Sequence, residues 1–126
     1  SFAAQLISDA GGSYIWGDNQ QSGSIELSSE HIAAQAKNAD VWINPFDAQC
    51  LQSLKNYPKL LQGITALEHG RVYQPNKIKN KYGYSAYWDK GLLHPEQILR
   101  DLITVFHKPK RDTACVYYMP LPEICP

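Results

Sequence analysis

Asp40-Val41-Trp42-Ile43-Asn44-Pro45 is the stretch on which the fold turns. A compact run of β-branched and aromatic side chains favours extended backbone, and Pro45, lacking an amide hydrogen, stops it. Upstream, Ile32, Ala33, Ala36 and Ala39 recur at helical spacing behind Ser28 as N-cap, with Glu30 in the first turn. Downstream, Asp47 is the expected cap of a helix that turns Leu51 and Leu54 inward, and Tyr57-Pro58 breaks it. Leu60, Leu61 and Ile64 then predict a short packing turn. Further out, Phe2, Ala3, Leu6, Ile7 and Ala10 predict an opening helix that Gly11-Gly12 stops. Tyr14-Ile15-Trp16 and Val72-Tyr73 read as two more strands. The last helix starts at Pro95 behind His94. Ile98, Leu99, Leu102, Ile103 and Phe106 form its stripe, and Arg100, Asp101 and Thr104 face out. Helices alternating with short strands predict an α/β domain with a small, mostly parallel sheet covered on both faces.

Composition narrows the function classes. The 126 residues carry 12 Lys+Arg against 12 Asp+Glu, so no strong electrostatic footprint for nucleic acid is present. No apolar run reaches the length of a membrane span. A helical pattern at the second residue, with no initiating Met and no signal segment, reads as a cut inside a longer protein. The three cysteines form neither a CxxC pair nor a zinc spacing. Cys115 and Cys125, ten positions apart in the Pro-rich tail, are the expected disulfide in an oxidising compartment, which leaves Cys50 unpaired.

In open α/β sheets ligands bind outside the carboxyl ends of the strands. Those ends collect Trp16-Gly17-Asp18, then Asn44-Pro45-Phe46-Asp47, then Tyr73-Gln74-Pro75-Asn76. The third runs into Lys77, Lys79 and Lys81, followed by Tyr82, Tyr84, Tyr87 and Trp88. Such a wall can stack on planar rings and attract anionic groups; its plainer reading is core aromatics beside solvated lysines. Catalytic signals are thin. His31, His69, His94 and His107 share no metal-ligand spacing, Gly11-Gly12 follows a helix rather than a strand, and nothing flanking Cys50 would activate a thiolate. The chain is read as binding without bond chemistry.

A set of ordered segments carries a resemblance. These are Ser1 to Tyr14 with its Ala-Gly-Gly helix end, Leu27-Ser28-Ser29-Glu30, Asn38 to Ile43, and Ala66-Leu67-Glu68-His69-Gly70-Arg71-Val72-Tyr73. Tyr87-Trp88-Asp89-Lys90-Gly91, Pro95 to Leu102 and Phe106-His107 complete it. In this order and spacing, most of residues 1–109 resembles the C-terminal lobe of periplasmic substrate-binding proteins of iron-siderophore, haem and cobalamin ABC transporters, including the iron-compound binding lipoproteins of Bacteroidetes-like bacteria. The resemblance implies a three-layer αβα lobe (class III periplasmic binding protein-like), a second, N-terminal lobe, and a ligand held between the two. It implies an iron chelate, a ferric siderophore or haem, delivered to an ABC permease from a periplasmic and lipid-anchored position. Carried onto this sequence, the ligand-facing positions are Trp16, Asp18, Phe46, Tyr82, Tyr84, Tyr87 and Trp88, and Glu30 docks the permease; Lys77 joins them as a ligand-binding candidate from the lysine and aromatic wall itself. No metal-ligand cluster accompanies them, so iron would arrive already chelated. Residues 110–126 run past the resemblance as a tail. The alternatives are a cobalamin-binding member of the same family and a metallocofactor-binding enzyme subunit of nitrogenase-like architecture. For the latter, Cys50 is the candidate ligand.

Overall fold

The computed structural model describes residues 2–13, 34–45, 47–56, 63–107 and 114–126, with the side chains of Phe2 and Ala3 left out. The expected strand at Tyr14-Ile15-Trp16, the start of the second helix at Ser28 and the turn at Leu60-Leu61 lie outside these residues. The elements are α1 (Phe2–Asp9), β1 (Trp42–Ile43), α2 (Leu51–Lys55), α3 (Thr65–Glu68), β2 (Val72–Gln74), a 3₁₀ turn η1 (Ala86–Trp88), α4 (Lys90–Leu93), α5 (Pro95–His107) and β3 (Met119–Pro120). Together they make a mixed helix and sheet fold. Its three strands run in the order β1-β2-β3. β1 and β2 are parallel, with Trp42 opposite Val72 and Ile43 opposite Tyr73. The chain forms two compact units: residues 1–17 with 74–119, and residues 18–73 with 120–126.

The first unit is built on α5. Its buried positions are Ile98, Asp101, Leu102 and Val105, spaced three and four apart as one helix face requires. The expected stripe is therefore rotated. Ile103 lies outside it, and Asp101, expected to face solvent, is 2% exposed. A buried carboxylate is costly unless its lone pairs are used. Here Asp101 Oδ1 accepts from the Val116 amide at 2.8 Å, and Oδ2 from Tyr117 and Tyr118 at 2.7 and 3.1 Å. One helix side chain thus takes the place of a strand partner for residues 116–118.

α1 lies against α5 with Leu6 and Ala10 buried. It ends as its sequence predicts. The Gly12 amide donates to Ile7 O at 2.9 Å and Gly11 to Ser8 O at 3.0 Å, with Gly11 at φ 83°, which closes a Schellman motif. His107, at the end of α5, bonds the Ala10 carbonyl through Nε2 at 2.8 Å. A Cβ on Gly11 would stand 2.9 Å from that same nitrogen, so glycine is required for space as well as for φ.

The second unit packs Ala48, Leu51, Leu54, Ile64, Ala66, Leu67, Val72 and Leu121 into one core, with Trp42 against it. β1 ends where Asn44 turns to φ 55°, a conformation that asparagine tolerates better than most non-glycine residues. The helix expected behind Asp47 is α2, and it begins at Leu51. Its N-cap is Cys50, in extended backbone with no side-chain cap. The missing cap is supplied from the chain's end: Leu51 N–H donates to Pro122 O at 2.8 Å and Gln52 N–H to Glu123 O at 3.0 Å. Cys50 is disulfide-bonded to Cys125, and Cys115 is a buried thiol outside the disulfide. The expected Cys115–Cys125 bridge is thus corrected, as is the expectation of an unpaired Cys50. Cys115 is held in the first unit next to residues 116–118, which Asp101 of α5 binds, and its thiol faces Asp101 O at 3.7 Å, while Cys125 is delivered to α2 in the second.

Candidate functional site

Lys77, Tyr82, Tyr84, Tyr87 and Trp88 fall in one stretch of the first unit, directly after β2. Trp16, Asp18, Glu30 and Phe46 lie outside the described residues. The stretch begins with a tight antiparallel hairpin closed by a Lys79–Ser85 bridge. Asn80 organises its tip. Its amide donates to Tyr84 O at 2.7 Å, and its carbonyl accepts from Gly83 at 3.0 Å. Its side-chain Oδ1 accepts from the Tyr82 and Tyr84 amides at 2.9 and 3.1 Å. Gly83 takes φ 84°, which a Cβ would resist. The turn chemistry of Asn80 and Gly83 is the sequence signal for this hairpin, which the lysine and aromatic pattern alone does not reveal. Below the tip, Ser85 Oγ–H donates to Pro75 O, and Ser85 Oγ accepts from Tyr87 N–H at 3.2 Å as the cap of η1.

The five residues divide by exposure. Tyr82 and Tyr84 are each 71% exposed and Trp88 is 61% exposed, unusual for large aromatic side chains. Lys81 Nζ stands 5.0 Å from the Tyr82 ring centroid, a cation–π pair at the hairpin tip. Tyr87, by contrast, is 4% exposed. It meets Trp88, Tyr118 and Tyr117 edge-on, at centroid distances of 4.8, 5.9 and 6.4 Å. Burial raises the Tyr87 hydroxyl above the ordinary tyrosine value of 10.0, and its hydrogen bond with Tyr118 works against that rise. Tyr87 is therefore the buried footing on which Trp88 stands. Lys77 is engaged too: its backbone amide donates to Tyr117 O at 3.0 Å and its ammonium to Cys115 O at 2.6 Å. The exposed surface of the stretch includes Lys77, Ile78, Lys79, Lys81, Tyr82, Tyr84 and Trp88, continued by Leu92 and Leu93 on α4.

What this arrangement offers is ring stacking, with positive charge alongside. Among the described residues no group of three or more His, Cys, Asp or Glu side chains is placed to hold a metal ion. No helix among them is long and apolar enough to cross a membrane.

Against known proteins, the chain is 30% identical over 105 residues to an uncharacterized lipoprotein of Methanocaldococcus jannaschii. The match takes in 83% of this chain but spans only 23% of that lipoprotein's length. No family model matches the chain, and no solved structure matches it.

Proposed function

We propose that this chain is the C-terminal lobe of a solute-binding protein of an ABC importer, with a three-layer αβα architecture, working outside the cytoplasm from a lipid anchor. Its ligand is an anionic, ring-bearing iron chelate, a ferric siderophore or haem, held against a second lobe and handed to the permease. The observation that carries this reading is the braced hairpin that holds Tyr82 and Tyr84 in solvent with Lys81 over one ring, followed in η1 by the exposed Trp88. Exposing three large aromatics on a hydrogen-bonded frame forgoes apolar burial, and a planar ligand that stacks on them recovers it. Lys79 and Lys81 add attraction for carboxylate or catecholate oxygens. The lipoprotein relative supports an anchored location, and the disulfide, a bond that persists in oxidising compartments, supports one outside the cytoplasm. The metallocofactor alternative relied on a Cys50 thiolate, and that sulfur is bonded to Cys125.

Tryptophan fluorescence of the protein carrying both lobes tests the proposal, titrated with haem, a ferric tris-catecholate and cobalamin in turn. Saturable quenching by haem or the catecholate is expected, with affinity reduced on the order of tenfold or more in Trp88→Ala, the scale of one lost stacking contact. Undiminished affinity in that variant removes Trp88 from the site. Preference for cobalamin would replace the anionic ligand class.

A further inference from the structure

We propose that the last residues of the chain are a redox-operated latch, which completes the second unit only once Cys50 and Cys125 have been oxidised. Four separate features bind this segment to one place. Leu121 is 6% exposed in the core of the unit, and its amide donates to Val72 O at 2.9 Å on the central strand. Pro122 and Glu123 supply the carbonyls that cap the first two amides of α2. Glu123 Oε1 also meets Lys55 Nζ at 2.8 Å, at the other end of that helix. Cys125 then bonds Cys50, the N-cap residue itself.

Beyond Leu121, which is anchored in the core, the non-covalent ties are weak singly. The ion pair is exposed on both sides, with side chains 43% and 63% accessible, and such pairs contribute little. α2 has five residues and no side-chain cap, too short to persist without its partners. Beyond Leu121 every residue of the segment is exposed. The covalent bond is what turns these contacts into a permanent one. In the closing step, the Cys50 and Cys125 thiols give up two protons and two electrons, and an S–S bond forms between them. A protein or glutathione disulfide accepts the electrons and becomes two thiols. Reopening is the same exchange run backwards by a dithiol reductant. Cys115, buried in the other unit, takes no part.

Amide hydrogen exchange on the full chain tests this, oxidised and after reduction with a dithiol, with thiols then blocked. Reduction is expected to cut protection at Leu51, Gln52 and Leu121 at least tenfold and to leave the α5 amides of the first unit unchanged. Cys125→Ser should show the same local loss without any reductant, and Cys115→Ser should respond to reduction as the parent chain does. Unchanged protection at Leu51 and Leu121 after reduction overturns the latch. Equal loss in α5 also overturns it, because the bond is then a general staple rather than a local device.

Discussion

Tyr87 shows how one ring can belong to both the fold and the site. Its ring is closed in by Trp88, Tyr117 and Tyr118, and its hydroxyl is held in its neutral form because burial penalises the phenolate. The sign of the pH effect follows. Between the ordinary tyrosine value of 10.0 and the raised native value, the unfolded chain has released this proton and the native chain has not. The unfolded state therefore binds fewer protons there, and stability falls as pH rises through that window. Below it the contribution is fully present. Urea midpoints measured from neutral pH upward should fall more steeply above pH 10 for the parent chain than for Tyr87→Phe, which keeps the ring and loses the titrating group. The other tyrosines cancel in that comparison. Parallel profiles would mean that the hydroxyl reaches solvent in the native state. The same footing explains why Trp88 can be exposed and still packed: its ring meets a Tyr87 ring that is itself buried.

At the scale of elements, α5 carries the first unit, and Asp101 is the contact through which it holds residues 116–118. Asp101→Ala removes the acceptor and leaves three amides to find other partners, at a cost of about 3 kcal/mol or more, given that hydrogen bonds to charged groups contribute about 1.5–3 kcal/mol each. Asp101→Asn retains one acceptor oxygen and should lose roughly half as much. Denaturant unfolding followed by near-UV circular dichroism, which reads the Tyr87, Tyr117 and Tyr118 cluster, measures both. A loss under about 1 kcal/mol for the alanine variant would show that water satisfies those amides. This carboxylate also marks the limit of what the sequence makes legible. Ile98 and Leu102 are visible as an inner face because their spacing is local, and so are the helix stop at Gly11-Gly12 and the strands at Trp42 and Val72. Asp101 reads as a surface residue because its partners lie fifteen to seventeen positions downstream, in backbone with no periodic pattern. The start of α2 departs from its local signal for the same reason. Asp47 is a good local cap, but the cap in use is main-chain carbonyl from the far end of the chain. At the site, composition locates the aromatic and lysine stretch. Only the hydrogen bonds separate the exposed Tyr82, Tyr84 and Trp88 from the buried Tyr87 and the engaged Lys77.

For the whole molecule, the cysteine pairing decides which part of the chain depends on oxidation. A bridge between Cys115 and Cys125 would close a ten-residue tail loop; the bridge between Cys50 and Cys125 has a sequence separation of 75 and encloses both strand β2 and helix α5. In the chain-entropy account a loop of that size, opened in the unfolded state, is worth about 4 kcal/mol. That loss should not be shared evenly, because both sulfurs lie in the second unit. Trp42 packs against the core of that unit and Trp88 belongs to the other, so single-tryptophan variants report on each separately. In urea titrations, Cys50→Ser with Cys125→Ser is expected to move the Trp42 transition to much lower denaturant. The Trp88 transition should move less, so that two probes that coincide in the oxidised chain become separated. If both move together by the full amount, the units unfold as one cooperative body and the disulfide stabilises the molecule as a whole. If neither moves, the unfolded chain is already held compact around those cysteines, and the entropy argument fails at its reference state.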